Sequence, residues 1–112
     1  MTHGGWTIRL SETAEADHDE ILRWTAKRFG AAQVSTYALL LAETLARLEF
    51  GPGIAGARQR DEIGLGLRAL HVGRRGRHII LFRVSTERNE TIDALRILHD
   101  AMDLARHVPP ED

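Results

Sequence analysis

The chain has 112 residues, enough for one domain with a single core. Apolar residues make up 43% and charged residues 28%, a globular balance that excludes wholesale disorder. There is no cysteine, which excludes a disulfide scaffold, a thiol nucleophile and a thiolate metal site, and the net charge is only -1.

No apolar run approaches the ~20 residues that span a bilayer. Met1-Thr2-His3-Gly4-Gly5 offers neither the charged nor the apolar region of a secretory signal. A soluble cytoplasmic protein is expected, with residues 1–5 and 109–112 frayed. The near-neutral charge hides an uneven distribution. Of the 15 basic residues 14 are arginine, and only Lys27 is lysine. From Arg58 to Arg83 seven arginines face Asp61 and Glu62, a local net of +5. Such a block suits an acidic partner, although codon bias alone also enriches arginine.

Trp6-Thr7-Ile8-Arg9-Leu10 alternates apolar and polar residues and predicts a short strand. Ser11 is a good helix N-cap, and Gly30 a good stop, for a helix from Glu12 to Phe29. Ala14, His18, Ile21, Leu22, Thr25 and Phe29 share one face at helical spacing. Acids crowd the first half of this helix and bases the second, which complements its dipole and needs no functional explanation. A second helix is predicted from Ala31 to Phe50. Val34, Ala38, Leu41, Leu45 and Leu48 form its stripe, and Tyr37, Leu39 and Leu40 widen that stripe beyond one packing face. One glycine between the helices predicts a tight antiparallel hairpin.

Glycine-rich residues 51–66 read as an irregular loop with a short strand near Arg60–Ile63. Three strands follow, Leu67–Val72, Arg77–Ser85 and Thr91–Leu98, joined by turns at 73–76 and 87–90. Residues 100–108 suit a last helical turn. The fold class is α+β: β-α-α-β-β-β, an antiparallel sheet packed against an N-terminal helical hairpin.

No histidine pair has metal-ligand spacing, so no metal and no cofactor are expected. His18 reads as a core residue, and His71 and His78 as exposed hairpin residues. His99 ends the last strand beside Arg96 and Asp100, where sites concentrate. A metal-free phosphodiester-cleaving site needs a base, an acid and cations. Arg60, Arg68, Arg83, Arg96, His78 and His99 supply those residue types. The alternative for Arg83 and Arg96 is ion pairing with Asp93, Asp61 or Glu62 across the sheet.

Several segments carry a resemblance. Leu10-Ser11 with Ala14-Glu15-Ala16-Asp17 opens the first helix, and Phe29-Gly30-x-x-Gln33 joins the two helices. Glu62-Ile63-x-x-Gly66-Leu67-Arg68, Gly76-Arg77-His78 and Arg96-Ile97-Leu98-His99-Asp100-x-Met102-Asp103 follow in order. In this spacing the chain, from Trp6 to Val108, resembles the ParE toxins of type II toxin–antitoxin systems, within the RelE/ParE superfamily.

That resemblance implies the fold already derived and one of two activities. ParE-type members poison DNA gyrase, and RelE-type members cut messenger RNA on the ribosome. The RILHxxMD ending is similar to the ParE branch. The C-terminal tyrosine common in RNA-cutting members is absent, since Tyr37 is the only tyrosine. The resemblance thus favours a gyrase inhibitor. A ribosome-dependent endonuclease using Arg68, Arg83 and His99 stays as the alternative, and a degenerate, inactive member as a third reading. The target-facing set is Arg60, Arg68, Arg83, Arg96, His99, Asp100 and Asp103. The implied partner is a ParD-like ribbon–helix–helix antitoxin packed on the helical hairpin, with Trp24, Tyr37, Leu40 and Leu41 as anchors. No membrane and no direct sequence-specific nucleic-acid binding are expected, and a homodimer stays open.

Overall fold

Ser11 does three things at once. Its backbone N–H donates to Ala94 O at 3.0 Å, continuing strand β1 (Thr7–Leu10) alongside β5 (Thr91–His99). Its hydroxyl donates to Leu95 O at 2.9 Å. The same oxygen accepts from Ala14 N at 3.0 Å, capping helix α1 (Glu12–Phe29). The computed structural model describes residues 4–73 and 77–100. Helix α2 (Ala31–Arg47) follows Gly30, whose φ of 90° lies in the region glycine favours and turns the chain back on itself.

The remaining elements are a 3-10 turn (Leu48–Phe50), β2 (Arg58–Gln59), β3 (Arg68–His71), β4 (His78–Val84) and β5. Among the described residues they form a five-stranded sheet in the order β1-β5-β4-β3-β2. Consecutive strands pair antiparallel, as short turns require. β1 instead runs parallel to β5, with Thr7 opposite Thr91 and Leu10 opposite Ala94. The sheet is therefore mixed, which corrects the all-antiparallel expectation. Between β1 and β5 lie the helical hairpin and strands β2 to β4, so no turn sets their relative direction.

Three smaller expectations also change. The second helix ends at Arg47 and tightens to 3-10 geometry before Gly51. The short strand lies at Arg58–Gln59. Residues 60–67 turn instead, with Ile63 N bonded to Arg60 O, Leu67 N to Gly64 O, and the Asp61 carboxylate accepting from Gly66 N. Gly4, expected to fray, lies so close to the Glu49 backbone that a Cβ has no room. Residues 74–76 of the expected hairpin turn and 101–112, including the expected last helical turn and Asp103, lie outside the described residues.

The helices cover one face of the sheet. There Ile21, Leu41 and Leu48 meet Leu70, Val72, Ile80, Phe82, Ile92, Ala94 and Ile97. The other face carries a second buried cluster of Ala69, Ile79, Leu81 and Leu98, with Ile63 against it. β4 is thus buried on both sides, which is why Ile79-Ile80-Leu81-Phe82 shows no polar alternation.

β5 contains an irregularity. Leu81 pairs with Arg96 but Phe82 pairs with Ala94, so Leu95 is an extra residue in the ladder. Ala94 and Ile97, three apart, therefore both face the helices. His99, two residues beyond Ile97, takes the same side.

Candidate functional site

β1 pairs with β5 only as far as Ala94, which leaves the outer edge of β5 from Leu95 onward without a strand partner among the described residues. Helix α1 covers it. Asp17 accepts from Ile97 N at 2.9 Å and from Arg96 Nε and Nη2 at 2.8 and 3.0 Å. This is a two-pronged guanidinium–carboxylate pair that also blocks an exposed strand edge. The hydrogen bond to Asp17 is the main cause that pushes the Arg96 pKa above the usual arginine value. Arg96, expected to face a target, is thereby committed to holding α1 on the sheet.

Beyond this clamp, the ends of β4 and β5 meet the helical hairpin at an open trough. Two adjoining cavities, about 360 and 600 Å³, share Trp24, His78 and His99. The larger one is also lined by Arg28, Phe29, Gln33, Thr36, Tyr37 and Arg77. Trp24 is 54% and Phe29 58% exposed, and their rings meet edge to face at 5.8 Å. Tyr37 carries the polar tip of an otherwise apolar stripe, and it finds a partner: its hydroxyl lies 2.6 Å from His78 Nδ1. His78 is the register partner of His99, and the two imidazoles stand edge to face at 5.5 Å. Asp100 sits 3.7 Å from His99 Nδ1 and 3.8 Å from His71 Nε2.

Burial, and then the neighbouring His99, push the His78 pKa below its usual value, while Asp100 opposes them. Burial likewise raises Tyr37. A histidine whose folded pKa is depressed binds its proton later than the unfolded chain does. The unfolded state therefore gains protons first as pH falls, and stability drops. Urea unfolding between about pH 7.5 and pH 5.5 should show this acid-side loss, and a smaller slope in His78→Gln. An unchanged slope would remove His78 as its source.

The trough corrects the histidine expectations. His78 is half-buried and bonded rather than an exposed hairpin residue, whereas His71 is exposed. His18 is not core; its ring lies 3.3 Å from Asp19 on the surface. Among the expected anchors, Trp24 and Tyr37 line the trough, and Leu40 packs under Gly73. Leu41 is fully buried in the core and unavailable on the surface, because its position on α2 faces the sheet.

Of the expected arginines Arg96 lines a cavity with His99, whereas Arg60, Arg68 and Arg83 stand elsewhere. Arg68 pairs in register with Phe82 and donates to Pro52 O at 3.1 Å. Arg83 is exposed opposite Asp93, whose carboxylate is held by Arg9 at 2.7 Å. Arg83 stands five residues along β4 from His78, roughly 16 Å at about 3.3 Å per residue. Arg60 pairs with Glu62 at 2.5 Å. Arg28 and Arg77, which sequence reasoning did not single out, line the larger cavity, and Arg96 lines the smaller one. The lone tyrosine on an over-wide stripe was the one available signal for a polar partner across the hairpin. Among the described residues, no group of three or more His, Cys, Asp or Glu is placed to hold a metal ion. No described helix is long and apolar enough to cross a membrane.

A two-helix hairpin laid on one face of a mixed sheet is a fold shared with a solved structure. The chain aligns with one from a structure titled "Chromosomal ParDE TA system from P. aeruginosa" at a TM-score of 0.67 and 22% identity. That match covers 86% of this chain and 97% of the other. Toxin ParE1 of Mycobacterium tuberculosis is 36% identical over 99 residues, 88% of this chain and 94% of that protein. Toxin ParE1 of Caulobacter vibrioides is 33% identical over 103 residues, 89% of this chain and 95% of that one. The family described as "ParE toxin of type II toxin-antitoxin system, parDE" matches residues 8–104. The chain belongs to this family of ParE toxins.

Proposed function

We propose that this toxin arrests growth by inhibiting DNA gyrase and is held inactive by a ParD-like ribbon–helix–helix antitoxin seated on the helical hairpin. Membership of the ParE family supports the toxin role. The observation that carries the antitoxin reading is the trough, where Trp24 and Phe29 stand more than half exposed beside half-buried Tyr37. Large aromatic rings at the rim of a concave surface are what a partner segment fills. The separation of Arg68 and Arg83 from His99 weighs against the nuclease constellation expected from sequence.

One observation favours the second reading, a ribosome-dependent endonuclease. Tyr37 brings a phenolic hydroxyl to the His78–His99 pair from a different element, with Arg28 and Arg77 nearby. The same purified toxin decides between the two in plasmid supercoiling by gyrase and in messenger cleavage by translating ribosomes. Gyrase inhibition without cleavage is the expected result. Ribosome-dependent cleavage that disappears in His99→Ala overturns it.

A further inference from the structure

Three strands deliver a histidine to the same end of the sheet: His71 from β3, His78 from β4 and His99 from β5. Their surroundings are unbalanced in charge. Facing His78 are Tyr37 from α2, Arg28 from the last turn of α1, and Arg77 from the residue before it. From the other side come Asp17 and Glu20 of α1 and Arg96 of β5, of which Asp17 and Arg96 neutralise each other. Asp100 lies between His71 and His99. The larger cavity thus has Arg28, Arg77, His78 and His99 on its walls, and no carboxylate among the described residues that line it.

A segment that fills such a cavity stably brings negative charge with it. A carboxylate placed within a few ångströms of an imidazole favours the protonated ring. Desolvation of the same rings by an uncharged segment would favour the neutral form instead, so the sign of the proton change reports the chemistry of the occupant. The Tyr37 hydroxyl does not oppose protonation of His78, since it can rotate from donating to Nδ1 to accepting from it.

We infer that antitoxin capture at this trough is proton-linked: acidic residues of the antitoxin lie over Arg28, Arg77, His78 and His99, and the two histidines take up protons as the complex forms. The inference rests on the antitoxin reading above. By linkage the complex tightens as pH falls toward 6, by up to about tenfold per pH unit for each proton taken up.

The test uses the full toxin and its cognate antitoxin. Titration calorimetry in two buffers of different ionisation enthalpy, at about pH 7.5 and pH 6.2, measures affinity and proton uptake together. Net uptake in the wild type, tighter binding at the lower pH, and diminished uptake in His99→Gln are expected. His78→Gln provides a second variant on the other ring. Arg28→Glu, at an exposed site, should weaken binding by roughly tenfold or more at low salt. Binding with no proton uptake, or with release, overturns the inference and leaves antitoxin docking standing. No binding at all, or full affinity in both Trp24→Ala and Arg28→Glu, overturns docking at the trough and the inference with it.

Discussion

Asp17→Ala is expected to lower stability by about 2–4 kcal/mol, because it removes the partner of a charge and of a backbone donor together. The carboxylate accepts three hydrogen bonds, two from Arg96 and one from Ile97 N. The side chains of Arg96 and Asp17 are only 18% and 13% exposed, so water replaces little of what is lost. Without Asp17 a cation stays on the edge of β5 with its main anion gone, and α1 loses its grip on the sheet. Asp17→Asn keeps an acceptor for Ile97 N but loses the charge, and should fall between the two. Asp93→Ala is the comparison: its partner Arg9 is 36% exposed, so solvent screens that pair and the cost is smaller. Urea unfolding of the three variants measures the order. A loss below about 1 kcal/mol for Asp17→Ala would place this pair with ordinary surface ion pairs.

Leu41→Ala should cost about 2–5 kcal/mol, the range for a large aliphatic side chain cut back in a packed core. Leu41 is 0% exposed and belongs to the cluster built from Ile80, Phe82 and Ile97. Its truncation opens a cavity under α2 that the hairpin cannot close, since Gly30 and the Ser11 cap fix both ends of α1. An antitoxin anchor behaves differently: its truncation weakens the complex and leaves the free toxin as stable as before. Leu39, 60% exposed on the same helix, provides the reference, and Leu39→Ala should change stability by less than about 0.5 kcal/mol. Thermal unfolding of the free toxin separates the cases. If Leu41→Ala melts like the wild type, its burial is not what holds the hairpin down.

The parts of the fold that local chemistry decides were legible. α1 runs from Glu12 to Phe29 because Ser11 caps it and Gly30 ends it, and both signals are single residues. The three-strand meander follows from turn residues between apolar runs. The parallel pairing of β1 with β5 was not legible, since it joins segments more than eighty residues apart, with two helices and three strands between them. The site was legible in its ingredients only. His99 and Tyr37 were both noticed, but their meeting through His78 depends on how α2 crosses the end of β4. Ion pairing of Arg96 was open from the sequence, but toward Asp93, Asp61 or Glu62 across the sheet, whereas its partner Asp17 lies on helix α1. The basic block is split by β4, which separates Arg77, just before its first residue, from Arg83 near its other end.

The extra residue at Leu95 divides β5 into two stretches of opposite phase. Asp93 and His99 are six positions apart, and in an unbroken ladder they would share a face; here one meets Arg9 and the other enters the trough. The residues of this strand that face the helices are therefore Ile92 and Ala94 before the irregularity and Ile97 and His99 after it. A single-residue deletion at Leu95 would make the ladder regular and keep Ile97 and His99 on the helix side, since Ala94 and Ile97 would then stand two positions apart.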